Sequence, residues 1–214
     1  MPGPAARKPP AEKYDERRRA LAESALITLG ELGYAKASLR EIANNSDFSH
    51  GVVHYYFQDK HELIVFCVRE QKSGCVRRYD DVIAGSATPE ELVAGFADKL
   101  VETLATDTAM HRLWYDVRTQ SMFEERLREV AEEIDGWLED MVWRIVSRYA
   151  ELAGGVPAMP ASVLYAIVDG LFQQALIGVS AGRHEVLGEL RTLVHGLLPT
   201  MITTDVTPGV PTPA

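Results

Sequence analysis

The 214-residue sequence predicts an all-α fold: an N-terminal three-helix helix-turn-helix domain, then a C-terminal helical bundle, about nine helices in total. Three observations predict it. Apolar residues recur at spacings of three and four along most of the chain, and no stretch shows strand alternation above that pattern. Ser38 with Glu41 and Thr88-Pro89-Glu90-Glu91 mark helix starts, while Gly33, Gly85 and the pair Gly154 and Gly155 mark stops. Finally, residues 38–60, SLREIANNSDFSHGVVHYYFQDK, read as two short helices joined by a turn.

Taken in order, residues 1–12 combine Pro and Ala with Arg7 and Lys8 and cannot bury a face, so a disordered tail is expected; a basic arm reaching DNA is the alternative. Residues 13–32 make a helix on Leu21, Ala25, Leu29 and Leu32, capped by Gly33. Its Arg17, Arg18 and Arg19 are read as a solvated face rather than a phosphate contact. The helix opened by Ser38 turns Leu39, Ile42 and Ala43 inward and ends at Asn44 to Ser46. From Asp59 one long helix runs through Leu63, Ile64, Phe66, Cys67, Tyr79, Val82 and Ile83 to Gly85. Thr88 opens a helix to about Ala105, a further one starts at Asp107 or Thr108, and a long amphipathic one covers 123–152. Two apolar helices, 162–179 and 184–198, precede a mobile tail over 201–214. The expected domains are 13–58 and 59–200.

Net charge is -9, which excludes a protein that coats nucleic acid by charge alone. The imbalance is local. Residues 1–72 hold 11 Lys and Arg against 10 Asp and Glu, so the acidic excess lies in the C-terminal part. The two cysteines, Cys67 and Cys75, form no framework and fit a reducing compartment. No secretion signal is read at the N-terminus, and 161–182 carries Asp169, Gln173 and Gln174 where a bilayer would penalise them, so a cytoplasmic protein without a membrane partner is expected.

Ser49 caps a helix over 50–57 that is too short to stand alone. On a helical wheel Val52, Val53, Tyr56 and Phe57 share an inward arc, and His50, Gly51, His54 and Tyr55 the opposite one. Donors, an aromatic hydroxyl and a bare backbone suit a helix laid in a DNA major groove. Lys60, after the probable cap Asp59, is placed to meet a phosphate.

Leu32-Gly33-Tyr34, the run 38–43, Phe48-Ser49-x-Gly51 and Tyr56-Phe57-x-x-Lys60 together resemble the DNA-binding domain of the TetR family of transcription regulators. Asp47 stands where that family usually has Gly in the turn, and His54 where it usually has Tyr. The resemblance implies a homodimer that binds double-stranded operator DNA, with Ser38, Ser49, His50, Gly51, His54, Tyr55 and Lys60 as the contact set. It also implies a small-molecule effector in the C-terminal bundle. The residues themselves suggest where: Trp114, Arg118, Met122, Phe123, Trp137, Met141, Asp169, Phe172 and Gln173 set polar groups among aromatic ones, although for any single Trp, Phe or Met among them ordinary core packing is the preferred reading. Asp169 either binds a cationic or hydroxylated ligand or pairs with Arg118 or a helix end. Residues 113–123 are similar to the choline-responsive branch of the family, over too short a span to assign a ligand. The last two helices are apolar over more than one stripe and suit a subunit interface.

Other chemistry fits poorly. Gly178-Val179-Ser180-Ala181-Gly182 matches a nucleophile elbow, but that motif needs a strand before Ser180. His50 and His54 have metal-binding spacing without a third ligand at fixed spacing. No phosphate loop occurs, and no cofactor or metal is expected. The sequence reads as a ligand-responsive repressor, with an activator or an all-α hydrolase as alternatives.

Overall fold

In the first helix Leu21, Ala22, Ala25 and Leu29 fall on one face, and all four are buried. The structure is a computed structural model that describes residues 10–204, with side chains from residue 13; expectations for 1–9 and 205–214 lie outside the described residues. The chain divides into two compact units: residues up to Glu70 with Arg112–Arg128, and Gln71–His111 with residues from Glu129. The first division thus falls after Glu70, and a later segment, Arg112–Arg128, belongs with the N-terminal residues.

The first unit starts with α1 (Pro10–Lys36), kinked at Gly33, whose φ of 75° and ψ of 173° suit glycine. In α2 (Leu39–Asn44) Leu39, Ile42 and Ala43 are buried, and the Ser38 hydroxyl accepts the Glu41 N–H at 3.2 Å. Ser46 closes the next turn, its hydroxyl accepting the Phe48 N–H at 3.2 Å. Asp47 is not forced into a left-handed conformation, since no non-glycine among the described residues has positive φ. Ser49 caps α3 (His50–Tyr56) by accepting the Val52 N–H. Seven residues cannot hold a helix in water, so α3 depends on Val53 and Phe57, both fully buried. After it comes α4 (Lys60–Arg77).

The long helix expected over 59–85 is broken. It becomes α4 and α5 (Asp80–Gly85), because Tyr79 turns into the core, 5.7 Å from the Phe96 ring, while Arg78 pairs with Asp107 at 2.6 Å. Thr88 opens α6 (Pro89–Thr106) with a complete capping box. After α7 (Thr108–Gln120), the Phe123 and Glu124 N–H groups both return to the Gln120 carbonyl. That turn, with a 3-10 turn at Glu125–Leu127, delays α8 (Arg128–Ala153) by five residues relative to expectation.

In the second unit α6 packs against α9 (Ala161–Ser180) and α10 (Val186–Leu197). Among the described residues α9 alone is long and apolar enough to cross a membrane, yet seven of its residues are buried within this unit. The tail expected from 201 does not begin there: Met201 is buried, and β2 (Ile202–Thr203) pairs antiparallel with β1 (Val156–Pro157). A two-residue ladder has no periodicity to read.

Candidate nucleic-acid interface and interior polar cluster

Around α3 the first unit presents the surface that the wheel separates. His50, Gly51, His54 and Tyr55 are exposed, with Tyr55 71% accessible, whereas Val53 and Phe57 face inward. No atom lies within 4 Å of a Cβ built on Gly51, which leaves its backbone open to close approach. Tyr55 belongs to an aromatic group, its ring 6.2 Å from Tyr14 and 5.0 Å from Tyr56. Between α1 and α3 runs an open groove of about 960 Å³, bordered by Lys13, Arg17, Ser49, Gly51 and Tyr55.

This groove separates the three arginines that look alike in sequence. Arg17 borders it. Arg18 instead lies over the Phe57 and Phe66 rings, at 4.8 and 4.5 Å, and pairs with Glu62 at 2.5 Å. Arg19 pairs with Glu70 at 3.2 Å. Lys13 and Arg17 are four apart on one helix face, which puts both on the groove side of α1.

The Lys60 ammonium donates to the Tyr34 carbonyl at 2.9 Å and sits 4.5 Å above the Tyr34 ring, which leaves it further donors. Tyr34, at 6% exposure, brings that carbonyl and ring face together beside the start of α4. Asp59 caps α4, accepting the Glu62 N–H at 2.8 Å and an Arg126 bond at 2.9 Å. The Glu62 amide first and Arg126 second hold the Asp59 carboxyl below its ordinary range. Ser38 spends its hydroxyl on α2, where Oγ donates to Glu41 at 2.8 Å.

The expected effector residues divide. Trp114, Arg118, Met122 and Phe123 belong to the first unit; Trp137, Met141, Asp169, Phe172 and Gln173 belong to the second. Trp114 and Met141 are buried and Trp137 half-buried. Met122 and Phe123 are 67% and 77% exposed because they occupy the turn after α7, and Gln173 faces outward from α9. None of these three lines an enclosed site within its own unit.

Inside the second unit Asp169 and Phe172 accompany Lys72, His111 and Asp135, which the sequence reading missed. The Lys72 ammonium lies 3.2 Å from His111 Nδ1, both side chains 4% exposed, and the His111 ring is edge-on to Phe172 at 4.7 Å. Tyr165 donates to Asp135 at 2.6 Å. Burial lowers the Lys72 pKa, partly offset by Cys75, Asp169, Asp107 and Asp135. Burial, then the Lys72 charge, pushes His111 well below its ordinary value, so its imidazole is neutral. Lys72 continues the apolar Ile64 and Val68 row of α4, which was its one sequence signal.

Ser180 ends α9 rather than following a strand. The His50 and His54 rings stand 4.4 Å apart, but no group of three metal-ligating side chains occurs among the described residues.

A capped reading helix with an open backbone, a groove beside it that carries Lys13 and Arg17 along with Glu16, and a mainly helical second unit define a helix-turn-helix DNA-binding regulator. Comparison with known proteins agrees. Residues 21–65 match the family described as bacterial regulatory proteins, tetR family, and residues 89–200 match the C-terminal family of BetI-type transcriptional repressors. The chain belongs to the TetR family of transcriptional regulators. It is 22% identical to the regulator PksA of Bacillus subtilis, over 77% of this chain and 80% of that one. With the regulator BetI of Cronobacter sakazakii it shares 26% identity, over 75% of this chain and 80% of the other. A transcriptional regulator from Saccharomonospora viridis, solved in complex with choline, has the same fold, with a TM-score of 0.72 at 19% identity over 88% and 98% of the two chains.

Proposed function

We propose that the protein is a cytoplasmic, effector-responsive repressor that binds a roughly palindromic operator as a homodimer. The observation that carries this reading is the exposed α3 face, where Gly51 leaves the backbone open and Tyr55 stands beside Lys13 and Arg17. His50, Gly51, His54 and Tyr55 read base edges in the major groove, and Ser49, Arg17 and Lys13 border the phosphates. Lys60 keeps donors beyond the one given to Tyr34 and takes a phosphate at the rim of the same surface.

The dimer forms through α9 and α10, whose outer faces leave Ile177 and Leu193 about half exposed in one subunit. The effector binds in the second unit, with Lys72, His111, Asp135, Tyr165 and Asp169 as its polar end and Phe172 as an aromatic wall. Binding there favours a subunit arrangement whose two reading helices no longer match the half-site spacing, and operator affinity falls by that difference.

The test is a genome-fragment pull-down with the purified protein, followed by gel shift of the enriched fragments at physiological salt. Enrichment of a short palindrome supports the reading. Equal affinity for every duplex, with no enriched sequence, would replace it with a non-specific DNA binder.

A further inference from the structure

Tyr34 is tethered through its amide, its carbonyl, its ring and its hydroxyl, and every one of these tethers comes from far along the chain. Its N–H donates to Asp116 at 2.7 Å across 82 positions, and its hydroxyl donates to Glu124 across 90. Its carbonyl and ring take the Lys60 ammonium. A third long-range anchor joins Arg126 to Asp59 across 67 positions. Tyr34 stands between the Gly33 kink and α2, while Asp59 and Lys60 stand just beyond α3. The segment 116–126 therefore grips the chain on both sides of the two reading helices.

We infer that residues 116–126 act as a strap that sets the pose of α2 and α3, with Asp116 and Glu124 as positioning residues for operator binding. This rests on the DNA-binding reading above. Neither group is a phosphate ligand, because carboxylates repel phosphates. On charge alone, removing either would tighten binding to a polyanion. Through position, removal loosens Tyr34 and weakens binding. The two expectations have opposite signs.

The experiment uses the full chain and a fragment enriched by the pull-down. Asp116→Ala should weaken operator binding about tenfold, with an unchanged salt slope because no phosphate contact is lost. Hydrogen exchange across 34–56 should quicken. Asp116→Asn keeps an oxygen that accepts the Tyr34 N–H and should restore most of the affinity. Wild-type or tighter binding by Asp116→Ala overturns the strap, as does an Asn variant no better than Ala. Should the wild type enrich no fragment, the regulator reading falls, and the strap is decided by exchange alone: unaltered protection over 34–56 in Asp116→Ala overturns it.

Discussion

Replacing Gly33 with Ala should destabilise the DNA-binding unit by an amount that follows from two distances and one pair of angles. At φ 75° and ψ 173° Gly33 occupies a region that other residues enter at a cost of about 1–3 kcal/mol. A Cβ there meets Asp116 Oδ2 at 3.0 Å, the oxygen that accepts the Tyr34 N–H at 2.7 Å. The carboxylate can retreat by a few tenths of an ångström, which stretches the bond without breaking it and removes up to ~1 kcal/mol. Together the losses come to about 1–4 kcal/mol, a large share of the roughly 5–15 kcal/mol that holds a domain folded.

The three tryptophans allow the affected unit to be followed separately. Trp114 is buried in the first unit, while Trp137 and Trp143 lie in the second. In a background with Trp137→Phe and Trp143→Phe, urea unfolding followed by fluorescence reports the first unit, at a fixed protein concentration because a dimer's stability depends on it. Gly33→Ala should lower the midpoint with little change in m. A cycle with Asp116→Ser should show a coupling of about 0.5 kcal/mol or more, since the shorter side chain makes room for the Cβ. A midpoint within about 0.5 kcal/mol of the parent would refute the strain argument. Full destabilisation with no coupling would leave the backbone angle as its sole cause.

Three further outcomes are expected. Tyr55→Ala should weaken operator binding at least about tenfold, by the ~1–3 kcal/mol of a base-edge contact, with the thermal melt intact; unchanged gel-shift affinity would remove Tyr55 from the reading face. His111 is depressed by burial, so below its unfolded value of 6.5 the unfolded chain takes a proton that the folded one refuses, and stability falls as pH drops. His111→Gln should lose that component, up to about 1.4 kcal/mol per pH unit, in melts at successive pH values below 6.5; an identical pH slope in both proteins would mean the imidazole does not titrate as its burial requires. Light scattering should find the proposed homodimer in the parent and a monomer in Ile177→Asp; a dimer that persists in the variant would place the interface elsewhere.

What the sequence disclosed and what it concealed differ by range. The Ser38, Ser49 and Thr88 caps and the Gly33 stop were legible because each is a contract between residues within four positions, and the structure closes every one of them. The inward and outward arcs of α3 were legible for the same reason. The fate of Lys60 was not. Its contact with the Tyr34 carbonyl has no local signal, and that tyrosine is held by residues 82 and 90 positions later. The same anchors account for a segment that returns from far along the chain: helix punctuation places a division near residue 58, but no local signal says that 112–128 belongs with the N-terminal unit. Met122 and Phe123 follow suit, since apolar character does not announce the turn that leaves them exposed. Side chains that function through distant partners are thus where a local reading fails, and in this chain such partners meet at Tyr34 and at the Lys72 and His111 pair.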